Sequence, residues 1–259
     1  MKETFSKSIV TSSGEFSVKK PAKSDVILLS VKGIIRLLLF VVLILVIANL
    51  VSLYMVEVFS VKTHFALSLF ANFDMNGEWN FPTIFSFGLL LLSALLLFII
   101  SLIRDEKSKG NHVYWKILSI IFLFLATDEI IGIHERFNFL KDKIQGNFLG
   151  LLHYPWILPY VLFAGVVGGF FLNFVFRMPK KTKNLIMISG ISYCTAAIAF
   201  ELPEGYLALS QGEYTFWWYL TCCIEETFEM CSIILFIYAL MDYIRSHSAK
   251  ITFIPKMDF

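Results

Sequence analysis

Six long apolar runs alternate with polar, turn-forming connections along the chain, at 33–57, 81–103, 113–136, 154–176, 185–204 and 215–243. Each is long enough to cross a hydrocarbon core, which takes about 20 apolar residues in helical form. A bilayer offers no water to backbone N–H and C=O groups, so runs of this kind predict helices rather than open strands. The expected fold is all-α, a polytopic membrane bundle of six transmembrane helices. Residues 1–30 mix Ser, Thr, Lys and Glu without periodicity and read as an N-terminal arm, 31–245 as the transmembrane domain and 246–259 as a tail.

Composition agrees with that pattern. A hydrophobic share of 57% and a charged share of 16% over 259 residues exclude an ordinary soluble domain, where charged residues run near ~25%. The formal charge of +2 matters less than where the charges fall. With the N-terminus inside, 18 of the 22 Lys and Arg residues fall on the inner side, and only Lys62, Arg136, Lys141 and Lys143 fall outside. This asymmetry follows the positive-inside rule and places both termini in the cytoplasm. The first run reads as an uncleaved signal anchor, because some thirty mostly polar residues precede it and no small-residue cleavage site follows.

The connections carry their own signals. VKTHFALSLF, within the outer connection 58–80, predicts a short helix lying at the interface and placed as a lid. GVVGG at 165–169 has small residues at helical spacing and predicts close helix packing. Cys194, Cys222, Cys223 and Cys231 fall in the last two runs and read as apolar filler rather than a disulfide framework, although Cys222 shares a helix face with acids. No internal repeat, phosphate-binding loop or nucleic-acid motif is present.

Acids in the wrong solvent are the chief chemical signal. TDEIIGIHER at 127–136, FELPEG at 200–205 and CCIEETFEM at 222–230 put eight carboxylates inside or at the ends of apolar runs. An ionised carboxylate in hydrocarbon costs several kcal/mol, so such a cluster points to function. A helix continued through 136 aligns Asp128 with Glu135 and sets Glu129 and His134 on either side, with Gly132 leaving room for an ion. In the fifth run Glu201 and Glu204 flank Pro203, which together with Gly205 is expected to end the helix. In the sixth, Cys222, Glu225, Glu226 and Glu229 fall within an arc of roughly 100°, a single carboxylate stripe. The direction of each run brings all three acidic segments into the outer half of the membrane.

So many carboxylates cannot sit together ionised unless protons, water or cations intervene. The expected ligands of a divalent metal, Zn, Fe or Mn, are Asp128, His134, Glu135, Glu201, Glu225 and Glu229, with His153 as a further imidazole. Glu129 and Glu226 are the expected catalytic carboxylates, general bases left off the metal.

The pairing of Asp-Glu-x4-His-Glu (Asp128, Glu129, His134, Glu135) with Glu-Glu-x2-Glu-Met (Glu225, Glu226, Glu229, Met230) resembles a group of uncharacterised bacterial multi-spanning membrane proteins. The resemblance covers about 113–244 and implies a bacterial inner-membrane location, but no activity. Zinc-dependent hydrolases related to alkaline ceramidase share only the architecture, since their several His ligands are lacking here.

Three functions stand open at this level. One is a membrane metalloenzyme acting on a lipid-like substrate in the bilayer. A second is a cation or proton translocator, which the apolar stretch SIILFIYALM after Glu229 disfavours. A third is an accessory subunit in which the acids form an interhelical network.

Overall fold

The computed structural model describes residues 30–103, 111–134, 136–137 and 153–248. The expected arm through residue 29, Glu135, most of the connection 137–153 and the end of the tail lie outside the described residues.

The chain is helical throughout its described parts. Helix α1 (Val31–Leu53) ends in a π-helical turn (Tyr54–Val58) and is followed by α2 (His64–Phe73), α3 (Phe81–Leu102), α4 (Asn111–Ile131), α5 (Ile157–Phe176), α6 (Lys180–Ala199), α7 (Glu201–Ser210) and α8 (Phe216–Ser248). Five segments are long and apolar enough to cross a bilayer: Val31–Val58, Phe81–Leu102, Ile157–Phe176, Lys180–Ser210 and Phe216–Ser246. The protein is therefore a multi-pass helical membrane protein. The third predicted run corresponds to α4, which is of similar length but carries Lys116, Asp128 and Glu129.

Local chemistry explains the helix ends. Thr63 caps α2 by accepting a hydrogen bond from the Ala66 amide at 3.2 Å, and Asn80 caps α3 by accepting from the Thr83 amide at 3.2 Å. Helix α2 is the short helix expected in the outer connection. It lies against α1, where Asn49 Nδ2 donates to the Phe73 carbonyl at 3.0 Å, and none of its residues is among those that line the acid-bearing cavity. Asp74, just after α2, accepts from the Asn76 amide at 3.1 Å, and burial still raises its carboxyl pKa above the usual range.

Two packed clusters hold the bundle. One joins α1, α3, α4 and α8 through Val42, Leu45, Leu89, Ala126, Met230 and Ile234. The other joins α3, α4, α5 and α8 through Leu97, Trp115, Phe171, Phe174, Phe236 and Leu240. Helices α3 and α4 approach closely along small residues, and Ser119 Oγ crosses to the Ala94 carbonyl at 2.8 Å. In lipid, where apolar side chains gain little by leaving the solvent, such small-residue contacts and interhelical hydrogen bonds do much of the association.

Three sequence expectations change. First, α4 ends at Ile131, not 136. Gly132 adopts φ 63° and its amide bonds the Asp128 carbonyl at 2.8 Å, so the chain leaves the helix through a left-handed cap that glycine enters without strain. The helical alignment expected for Asp128 with Glu135, flanked by Glu129 and His134, is therefore lost. Second, Pro203 and Gly205 do not end the fifth run. Pro203 sits in the first turn of α7, and the helix continues to Ser210 after a junction at Phe200. A proline there needs no amide donor. Third, GVVGG is not a close-packing stripe, because a Cβ added at Gly165, Gly168 or Gly169 meets nothing within 4 Å.

Candidate functional site

The end of α4 turns back on itself. Asp128 is buried, and its Oδ1 accepts from the His134 amide at 2.9 Å and faces His134 Nδ1 at 3.3 Å. Its Oδ2 accepts from the Tyr160 hydroxyl of α5 at 2.8 Å. Both oxygens thus serve protein donors, and one of them fastens α5 to α4. The His134 ring stands edge-on to Trp156 and Tyr160, at centroid distances of 5.1 and 6.0 Å. A carboxylate on one ring nitrogen fixes the imidazole's tautomer and orientation. Asp128, expected as a metal ligand, is therefore placed to orient His134.

The stripe on α8 is formed as expected, and two groups of acids meet it. Glu226 and Glu229 line the cavity together with Tyr193 of α6 and Glu129 of α4. Glu204 of α7 lines the same cavity as Glu225 and Cys222 of α8. Glu204 is 5% exposed, and its Oε1 has no hydrogen-bond partner. Two ionised carboxylates so placed repel; a shared proton or a bound cation lets them remain neighbours.

All these groups line one cavity of about 1290 Å³. Its polar end presents Asp128, Glu129, His134, Glu201, Glu204, Glu225, Glu226 and Glu229, and no Lys or Arg is among the described lining residues. Its other end is apolar, with Leu118, Phe122, Phe171, Val175, Met187 and Phe236. Residues 75–78, after α2, close part of the polar rim. Among the described residues, no three His, Cys, Asp or Glu side chains are grouped so as to hold a metal ion at one point. The carboxylates surround a space instead.

His153 does not reach this space. It is buried behind Gly205, and its Nε2 pairs with Glu213 at 3.1 Å. A Cβ at Gly205 would stand 2.7 Å from the His153 Cβ, so this glycine allows the segment before α5 to press on α7. Close by, Trp218 Nε1 donates to the Tyr154 hydroxyl at 3.2 Å. Burial raises the Tyr154 pKa, and the indole donor only partly offsets it.

Sequence reasoning missed Tyr160 and Tyr193. Each is a hydroxyl within an apolar run, a group that needs a polar partner in hydrocarbon. Counting the possible partners of these tyrosines was the signal that would have joined α5 and α6 to the acids.

A family model described as a domain of unknown function (DUF8692) matches residues 38–244. The chain belongs to this family. The match runs from within α1 into α8, so the DUF8692 domain includes every acid that lines the cavity. No curated protein and no solved structure matches the chain.

Proposed function

We propose that this DUF8692 protein binds a divalent cation, Zn, Fe or Mn, at the carboxylates of its cavity together with a lipid-like substrate. In this reading α4 is a sixth transmembrane span, both termini are cytoplasmic, and the acidic end of the cavity faces the outer half of a bacterial inner membrane. The observation that carries the proposal is the convergence of Glu129, Glu204, Glu225, Glu226 and Glu229 on one cavity, with no Lys or Arg among its described lining residues to balance them. Burying such a group uncompensated is costly, and a cation is the direct remedy.

The spread of the acids favours a hydrated cation held by one or two carboxylates and completed by oxygens of the ligand, rather than a closed all-protein cage. Glu226 and Glu229 are best placed to hold it, with Glu129 across the cavity on α4. Glu201, Glu225 and Glu204 form the second carboxylate group, and His134, oriented by Asp128, supplies the imidazole. A cation polarises an ester or phosphoryl oxygen and favours an attacking water. In an enzymatic form of the site Glu129, left off the cation, would take the proton from that water, and His134 would return one to the leaving group.

Translocation is the weaker reading, because the apolar end of the cavity gives an ion no polar path onward. A purely structural network is separated from cation binding by experiment. Protein purified without chelators is expected to carry a stoichiometric divalent ion, and E225Q/E226Q/E229Q to lose it while remaining folded, since Gln keeps the size of Glu and removes its charge. Metal-free wild-type protein that does not take up Zn, Fe or Mn on titration, combined with an unchanged cellular phenotype for the triple variant, would refute the proposal.

A further inference from the structure

The same cavity has a side entrance. Helices α5 and α6 meet at the turn Arg177–Pro179, where the Lys183 amide bonds the Pro179 carbonyl at 2.9 Å and Lys183 Nζ stands 5.4 Å from the Phe176 ring centroid. Away from that turn the facing glycines have nothing opposite them. A Cβ at Gly168 or Gly169 of α5, or at Gly190 of α6, meets no atom within 4 Å, yet all three glycines line the cavity. The other flank of α5 meets α4 through three side-chain pairs, Tyr160 with Asp128 at 2.8 Å, Phe163 with Phe124 at 6.0 Å and Phe174 with Tyr114 at 4.8 Å. The unopposed glycines that line the cavity thus mark a gap on the α5 and α6 side.

We infer that this opening is a lateral doorway through which the acyl chain of a membrane lipid enters the cavity, its headgroup coming to rest at the carboxylates. The inference rests on the lipid-like substrate proposed above and assigns it a route and a binding mode. The outer face of α5 beside the doorway is apolar and exposed, with Leu162 at 69% and Val166 at 63%, so the phase it meets is hydrocarbon. A soluble polar molecule would have to cross lipid to use it. An acyl chain is already there.

The cavity is zoned to match such a molecule. Leu118, Phe122 and Phe236 line its apolar end and the acids its polar end. Its volume exceeds the roughly 300–1,000 Å³ of ordinary small-molecule sites. Glu204, whose buried Oε1 has no hydrogen-bond partner, is one of the acids that line this polar end. Glycines at the doorway keep it wide, since any larger side chain at 168 or 190 extends into the gap.

The test uses the full chain in phosphatidylcholine nanodiscs containing phosphatidylethanolamine with a photoactivatable diazirine near the end of one acyl chain. After irradiation, label is expected on Phe122 and Phe236, which line the apolar end of the cavity. In G168L/G190L, where the new side chains enter open space, helical content and thermal stability should be kept. Labelling of Phe122 and Phe236 should fall by roughly tenfold, equivalent to about 1.4 kcal/mol of binding. If the double variant proves unfolded, G168L alone serves, with the same expectation. Label confined to lipid-facing residues such as Leu37 and Leu162, or equal labelling of Phe236 in wild type and G168L/G190L, would overturn the doorway. E226Q/E229Q separates the two proposals: loss of cation with continued labelling of Phe236 supports the doorway while removing only the cation. Cation bound by wild-type protein with Phe236 unlabelled refutes the doorway alone.

Discussion

The bundle has a closed side and an open side. On the closed side, α1, α3, α4 and α8 interlock through side chains such as Leu97, Met230, Ile237 and Leu240, each 0% exposed. On the open side, α6 packs on α8, where Ser232 Oγ donates to Ser192 Oγ at 2.9 Å, but buries only Thr182, Ser189 and Ala196, and α5 buries chiefly the residues near its end at Phe171–Val175. Both sides have apolar sequences, so hydrophobicity alone does not decide which helices close together. The difference lies in what each pair of helices offers the other. Helix α3 presents Ser86, Ser93, Ala94 and Ser101, small enough for close approach and able to form hydrogen bonds. Helices α5 and α6 offer glycines that oppose nothing. Helices lose dispersion contacts where they part, and lipid or a ligand restores them.

This contrast can be broken at particular atoms, beginning with the largest effect. Asp128→Ala removes the acceptor for Tyr160 and His134 together. Hydrogen bonds to a charged group contribute about 1.5–3 kcal/mol each, so a loss of about 3 kcal/mol or more is expected in denaturation of the detergent-solubilised protein. Because Tyr160 fastens α5 to α4, cysteine cross-linking between those helices should fall as well, and Asp128→Asn should do less harm. Gly205→Ala forces a Cβ to within 2.7 Å of the His153 Cβ, where no flexible side chain can yield. Overpacking of this kind costs about 1–3 kcal/mol, read as a lowered Tm.

A smaller effect tests the closed side. Ser119→Ala deletes the bond to the Ala94 carbonyl, and interhelical hydrogen bonds in membranes average about 0.6 kcal/mol, measurable by unfolding in mixed micelles. Smallest is Asp74→Asn, outside the spans. Burial raises the Asp74 pKa in the folded protein, so its favourable contribution exists at low pH and is lost as pH rises through the folded value. The substituted amide keeps an oxygen for the Asn76 N–H and carries no charge. The variant should match wild type in acid and gain less than about 0.5 kcal/mol near neutral pH, the scale of a surface change, in a comparison of Tm against pH.

The closed side was largely legible in the sequence, and the open side was not. Run length located the helices, and the pattern of Lys and Arg gave directions that bring TDEIIGIHER, FELPEG and CCIEETFEM to one end, where the structure places their described acids around one cavity. The helical arc on α8 correctly grouped Glu225, Glu226 and Glu229. What failed were features that depend on backbone conformation or on partners across a gap. Gly132 reads equally well as a small helical residue or a left-handed cap, and only the cap brings His134 back to Asp128. Pro203 stops a helix when it falls in the interior but is tolerated in a first turn, and the junction at Phe200 supplied that turn. Glycine spacing in GVVGG permits close approach without requiring it. The pairing of Tyr160 with Asp128 depends on the rotation of α5 about its axis, which the even hydrophobicity of that helix leaves undefined.

The most direct test of the central claim, that the acid-lined cavity holds a cation and a lipid-like molecule together, is native mass spectrometry of the protein released from membrane nanodiscs. Wild type should carry a mass equal to one lipid plus one divalent ion, with the ion lost in E225Q/E226Q/E229Q and the lipid lost in G168L/G190L. A wild-type protein that emerges at its bare chain mass, under conditions where a known lipid-binding membrane protein keeps its lipid, would contradict the account.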